Sequence, residues 1–160
     1  MSVRLNVYIG PYIECLNRKV EKKEPYHGCP ACQREVWSRE TKFCDKCGGP
    51  LGPCERTKIA DAVEYGQIRQ AFTEAGLGED DLISVGSQED RWLIPNKRDA
   101  PGEHFDPDSE FGLWLDPDDL DPEQEIDNLE AYCVIHLAIL RKLHQPGEVF
   151  VRWGVLSYTS

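Results

Sequence analysis

Four of the seven cysteines in this 160-residue chain fall as two pairs, Cys29-x-x-Cys32 and Cys44-x-x-Cys47, with eleven residues between them. A Cys-x-x-Cys knuckle turns two thiolates toward one point, and a second knuckle completes the four-sulfur tetrahedron that zinc favours. The spacing predicts a zinc site with Cys29, Cys32, Cys44 and Cys47 as ligands. Iron in a rubredoxin-like centre is the alternative metal, and two disulfides are the alternative without one. Four thiolates close the shell, whereas a catalytic zinc keeps one position open for water. Neither the H-x-E…P-C-x-x-C pattern of zinc deaminases nor the H-E-x-x-H of metalloproteases occurs. The expected zinc is therefore structural, and no residue is assigned a catalytic role.

The remaining candidates are weaker. Cys54 lies seven residues after Cys47, within reach as a substitute ligand, but reads better as an unligated thiol. His27 reads as a residue flanking the site, Cys15 and Cys133 as small core residues, and His136 as a hydrogen-bonded core histidine. There is no phosphate-binding glycine loop and no G-x-S-x-G nucleophile elbow. The run DPDSEFG opens like a calcium loop, but its glycine comes one place late and Pro117 stands where the closing glutamate belongs.

The elements that must position these residues follow from periodicity. Val3, Leu5, Val7 and Ile9 alternate with polar residues as a half-buried strand, which Gly10-Pro11 interrupts before residues 12–15 continue extended. The charged segment 17–28 leads, solvated, into the cysteine module, and residues 58–65 fit either strand or helix. Ile68, Ala71, Phe72 and Ala75 share a helical stripe over 66–75, with Gly76 placed to end it. Residues 81–86 and 91–96 read as a hairpin in which Pro95 makes the second strand short or an edge. Asp121-Pro122 opens a long amphipathic helix to about residue 144, apolar nearly all round in its second half and so predicted to be the central core helix. Residues 148–158 alternate as a last strand expected beside the first. The fold class is α+β: an antiparallel or mixed sheet packed on a long core helix, within a single 1–160 domain that carries a zinc-ribbon insertion at 27–54 and an acidic loop at 98–120.

At CPAC and FCDKCGGPL, within residues 28–52, the chain resembles the zinc-ribbon family. Gln33 departs from it, standing where a glycine often follows the first knuckle. Zinc ribbons serve transcription, translation and protein docking, so the resemblance implies an architecture and a binding role, not a reaction. The opening VYIGPYIEC is similar to small phage accessory proteins, without a diagnostic motif.

Charge points to what is bound. The formal net charge is −11, yet Lys and Arg outnumber Asp and Glu over residues 1–69, and thirteen carboxylates with no Lys or Arg lie between Asp99 and Leu140. A chain of this charge repels polyanions at long range. The acidic stretch interleaves carboxylates with aromatics, and Asp106, Asp108, Glu110, Phe111, Trp114, Asp116, Asp118 and Asp119 are the residues predicted to dock a basic protein partner. The expected function is a non-enzymatic protein-binding module, an inhibitor or adaptor. A nucleic-acid-binding zinc-ribbon regulator is the alternative, supported by Arg34, Arg39, Lys42 and Lys46. The start of the chain lacks a basic-then-apolar leader, and no run of 18 apolar residues occurs, so a cytoplasmic location is expected.

Overall fold

The computed structural model describes residues 5–86, 90–105 and 120–159. They form two compact units: residues 1–18 with 63–160, and, inserted between them in sequence, Lys19–Ala62.

The first unit is built around β1 (Leu5–Leu16). Strand β8 (Val149–Thr159) pairs antiparallel with β1 along its whole length, from Leu5↔Thr159 to Cys15↔Val149. The other edge of β1 is shared. Strand β7 (Glu103–Phe105) takes Val7–Ile9, and β6 (Asp90–Pro95) takes Ile13–Leu16. The expected interruption at Gly10-Pro11 is instead a seam. The strand runs through it, and Pro11, which has no N–H to give, falls in the gap where one neighbour ends and the next begins. Strand β5 (Leu82–Val85) completes the predicted hairpin with β6. Because β6 has partners on both sides it is short but not an edge, and Pro95 is accommodated as its last residue, beyond the pairing with β1.

Helix α1 (Tyr65–Glu74) forms where its apolar stripe predicts, burying Ile68 and Phe72. Gly76, at φ 76°, ends it: the N–H groups of Gly76 and Leu77 return to the carbonyls of Thr73 and Phe72, both at 3.0 Å. The long core helix does not form as one piece. It is two short helices, α2 (Pro122–Tyr132) and α3 (Val134–Leu143), broken at Cys133, whose φ of −103° and ψ of 23° leave the helical region. The halves have different partners. Helix α2 packs on β1 and β8, whereas α3 packs mainly on α1, and a straight rod would not reach both. The second half is also not buried all round, since Val134 and Ile135 are exposed. The two ends match expectation: Asp121 accepts from the Gln124 N–H at 3.1 Å, Pro122 follows it, and Arg141 and Lys142 occupy the last turn.

The helix side of the sheet holds one core, with Ile13, Leu93, Leu129, Leu140 and Cys133 among its fully buried members. Each large aliphatic side chain there contributes about 1.5–3 kcal/mol by leaving water. A second cluster gathers around Tyr8, Ile94 and Leu156, with Tyr12, Trp92 and Tyr158 against it.

The second unit is a long two-stranded ladder, β2 (Lys19–Cys29) with β4 (Gly52–Asp61), capped by the short β3 (Arg34–Glu35). Ion pairs tie its two strands together: Lys19–Asp61, Lys23–Glu55, and Glu24 with both Arg56 and Lys58. Among the described residues no helix is long and apolar enough to cross a membrane.

Candidate metal centre

The four cysteines of the two pairs converge. Their sulfur atoms all lie within 4.8 Å of one another, and Cys29 Sγ is 3.4 Å from Cys47 Sγ. Ligands about 2.3 Å from a tetrahedral ion stand roughly 3.8 Å apart, so this donor set fits a single metal ion. All seven cysteines are free thiols. Among the described residues no histidine or carboxylate joins the cluster.

Local backbone builds each knuckle. Cys29 ends β2, and β3 turns back against it through Gly28↔Glu35 and Cys29↔Arg34. That approach demands glycine at position 28, because a Cβ there would stand 2.1 Å from the Arg34 carbonyl oxygen. In the second knuckle the Cys44 N–H donates to the Gly49 carbonyl and the Gly48 N–H to the Cys44 carbonyl, both at 2.8 Å. The Gly49 N–H donates to Cys47 Sγ at 3.4 Å. Each pair is followed by a left-handed residue, Gln33 at φ 51° and Gly48 at φ 70°. The departure from glycine at position 33 thus leaves the backbone shape intact and places a side chain where it is strained.

The thiols are electrostatically unequal. Backbone N–H groups of Cys47 and Lys46 aimed at Cys44 bring its pKa down to about 7. Hydrogen bonding with the Cys47 sulfur, reinforced by desolvation, pushes Cys32 up. Cys44 is therefore available as a thiolate before Cys32, which needs the charge of a bound cation to favour its ionised form.

The remaining sequence candidates separate from this cluster. Cys54 turns its thiol toward the carbonyls of Gly28 and Gly52, at 3.5 and 3.6 Å. His27 has its Nε2 atom buried without a hydrogen-bond partner and is not in the sulfur cluster. Burial raises Cys15 and Cys133 to about 12, as suits inert core thiols. His136 is buried against Phe72, with Nε2 3.7 Å from Asp81 Oδ2 and without a hydrogen-bond partner for that atom among the described residues, whereas the sequence predicts a hydrogen-bonded core histidine. The docking residues Asp106, Asp108, Glu110, Phe111, Trp114, Asp116, Asp118 and Asp119 lie outside the described residues.

Two features escaped sequence reasoning. Trp37 is 91% exposed and Phe43 63%, both in the loop between the knuckles. Ion pairing then sorts the module's charges: Arg34 is paired with Asp45 and Arg56 with Glu24 and Glu35, whereas Arg39, Lys42 and Lys46 have no ion pair among the described residues. The sequence signal was an aromatic on each side of a charged run in a segment too short to bury either. Comparison with protein-family models, curated proteins and solved structures yields no match.

Proposed function

We propose that this chain is a non-enzymatic protein-binding module, an adaptor or inhibitor, whose metal is zinc and whose zinc is structural. Closure of the site carries the reading: four sulfurs within 4.8 Å of one another, with no further ligating side chain beside them among the described residues, leave no built position for a reacting water. Zinc supplies on the order of 10 kcal/mol toward folding a segment that has few apolar residues of its own. Binding is then the work of surfaces. The carboxylate-rich stretch from Asp106 to Asp119 steers a basic protein partner, with Phe111 and Trp114 as anchors.

A second reading, nucleic-acid binding by a zinc-ribbon regulator, is favoured by one observation. Among the described residues Arg39 and Lys42, in the loop that exposes Trp37 and Phe43, and Lys46, within the second knuckle, make no ion pair, and cations near exposed aromatics in sequence suit single strands, which stack their bases and present phosphates.

A pull-down from host lysate separates the two, using wild-type bait and bait carrying Asp106→Lys, Asp108→Lys, Asp116→Lys, Asp118→Lys and Asp119→Lys. Nuclease-resistant capture of one basic protein, weakened by salt and lost in the reversal, is the expected result. Capture that vanishes with nuclease and survives the reversal overturns the first reading in favour of the second.

A further inference from the structure

A cleft of about 500 Å³ opens in the first unit, lined by Asn96, Lys97, Arg98, Glu103, His104 and Tyr158 together with Gly102. Its position is notable for charge. Between residues 70 and 140 the chain has nineteen carboxylates and only three cations, Arg91, Lys97 and Arg98. Arg91 is turned to the Val63 carbonyl and the Tyr65 ring. The other two both line this cleft. Lys97 Nζ stands 2.5 Å from Asp81 Oδ1, so its charge is partly neutralised. Arg98 makes no ion pair among the described residues.

The wall opposite in chemistry is rigidly built. His104 Nε2 lies 2.6 Å from the Pro95 carbonyl oxygen, which only accepts, so the ring proton of the neutral imidazole sits on Nε2. Nδ1 is then an acceptor, and the Tyr158 hydroxyl 2.9 Å away donates to it. Among the described residues this arrangement leaves the Tyr158 oxygen able to accept, on the cleft that Glu103 also lines. The His104 ring packs on Tyr8 at a centroid distance of 4.9 Å, and the fully buried Tyr8 hydroxyl is held by the carbonyls of Pro11 and Pro101, at 2.6 and 3.1 Å. Tyr8 thereby braces the turn into Gly102, where a Cβ would meet its hydroxyl at 2.1 Å. The cleft is shaped by packed groups before any ligand arrives, the condition under which ordering costs little binding energy.

We propose that this cleft is a small-molecule site for a phosphate monoester of a polyhydroxy compound. Arg98 and Asn96 donate to the phosphate, with Lys97 adding charge. Glu103 and the Tyr158 oxygen accept from hydroxyl groups of the ligand body. The volume lies within the range of small-molecule sites and exceeds what inorganic phosphate fills. The proposal is independent of the zinc module and of either macromolecular partner.

The test is calorimetric titration of the metal-loaded, full-length protein with ribose 5-phosphate, inorganic phosphate and ribose. Ribose 5-phosphate is expected to bind at one site per chain, more tightly than the other two. Arg98→Ala weakens it about tenfold or more, the scale of a lost hydrogen bond to a charged group. Tyr158→Phe, which keeps the ring, selectively weakens ribose 5-phosphate over inorganic phosphate. Both substituted side chains line the cleft surface, and an unchanged melting temperature and zinc content establish that the variants fold. Failure of wild-type protein to bind ribose 5-phosphate, binding that survives Arg98→Ala, or equal affinity for inorganic phosphate each overturns the proposal.

Discussion

Gln33 and Gly48 stand at equivalent places, each immediately after the second cysteine of its pair, and both hold the backbone in the left-handed region, at φ 51° and 70°. Only one of them is a glycine. Gln33→Gly is therefore expected to stabilise the metal-bound ribbon by about 0.5–1 kcal/mol, the relief of left-handed strain less glycine's larger chain entropy. Gly48→Ala is expected to destabilise it by a similar amount, about 0.5–1 kcal/mol, for the same two reasons in reverse, although no atom lies within 4 Å of the added Cβ. Thermal melts of the zinc-loaded variants decide the matter, and an unfavourable Gln33→Gly would mean that the glutamine side chain contributes more than its backbone strain costs.

The unequal thiols give metal binding a pH dependence. Cys44 is held at about 7 by backbone N–H groups, whereas Cys32 is raised. Metal capture must displace the remaining protons, so apparent zinc affinity falls as pH drops, by about tenfold per pH unit for each proton released. Competition with a chromophoric chelator from pH 8 to pH 6 should give a slope steeper than one proton. An affinity flat across that range is incompatible with a thiolate site. Cys44→Ser should weaken zinc more than Cys54→Ser, whose sulfur faces backbone carbonyls instead of the cluster.

What the sequence revealed and what it concealed divide along the range of the interactions. The knuckles, α1 with its Gly76 stop, the β5–β6 hairpin and the ends of the last helical segment are set by residues within a few positions of one another, and all are legible. The break at Cys133 is not, because no proline or glycine marks it and the apolar stripe runs through it. It arises because α2 and α3 pack on different elements. The ladder of β2 with β4 was hidden for another reason: its strands cohere through cross-strand pairs such as Glu24 with Arg56 and Lys58, so residues 17–28 read as a solvated charged segment and residues 58–65 fit strand and helix equally. Pro95 suggested an edge because the gap that tolerates it depends on where β1 stops pairing.

Acidification should weaken the first unit in two stages. Burial lowers His136, an effect that Asp81 opposes and Lys97 reinforces. A base with a lowered folded pKa binds more protons when unfolded, so its contribution is complete above about pH 6.5 and is lost as pH falls from there through the lower folded value. The Lys97 ammonium, helped by the Gly78 N–H, holds Asp81 below the usual carboxylate range. That contribution is present above about pH 4 and is lost as pH falls further. Denaturant unfolding at pH 7 and pH 5 should show lower stability at pH 5, and His136→Leu should flatten that difference while leaving the acid-side loss. An unchanged slope in the variant would assign the first stage to another group.

Trp37 offers the sharpest separation of folding from binding. At 91% exposure it makes almost no contribution to the folded state, so Trp37→Ala is expected to change stability by no more than about 0.5 kcal/mol and to leave zinc content unaltered. Under the nucleic-acid reading Trp37 is a stacking platform worth about 1–3 kcal/mol per base. Fluorescence of the four tryptophans, recorded for wild type and Trp37→Ala against an oligothymidylate in a salt series, measures this directly. Quenching that is lost in the variant and falls with salt places nucleic acid on the ribbon. The absence of quenching at low salt counts against the nucleic-acid reading, and the same variant in the pull-down then reads whether the ribbon and the acidic stretch engage one partner.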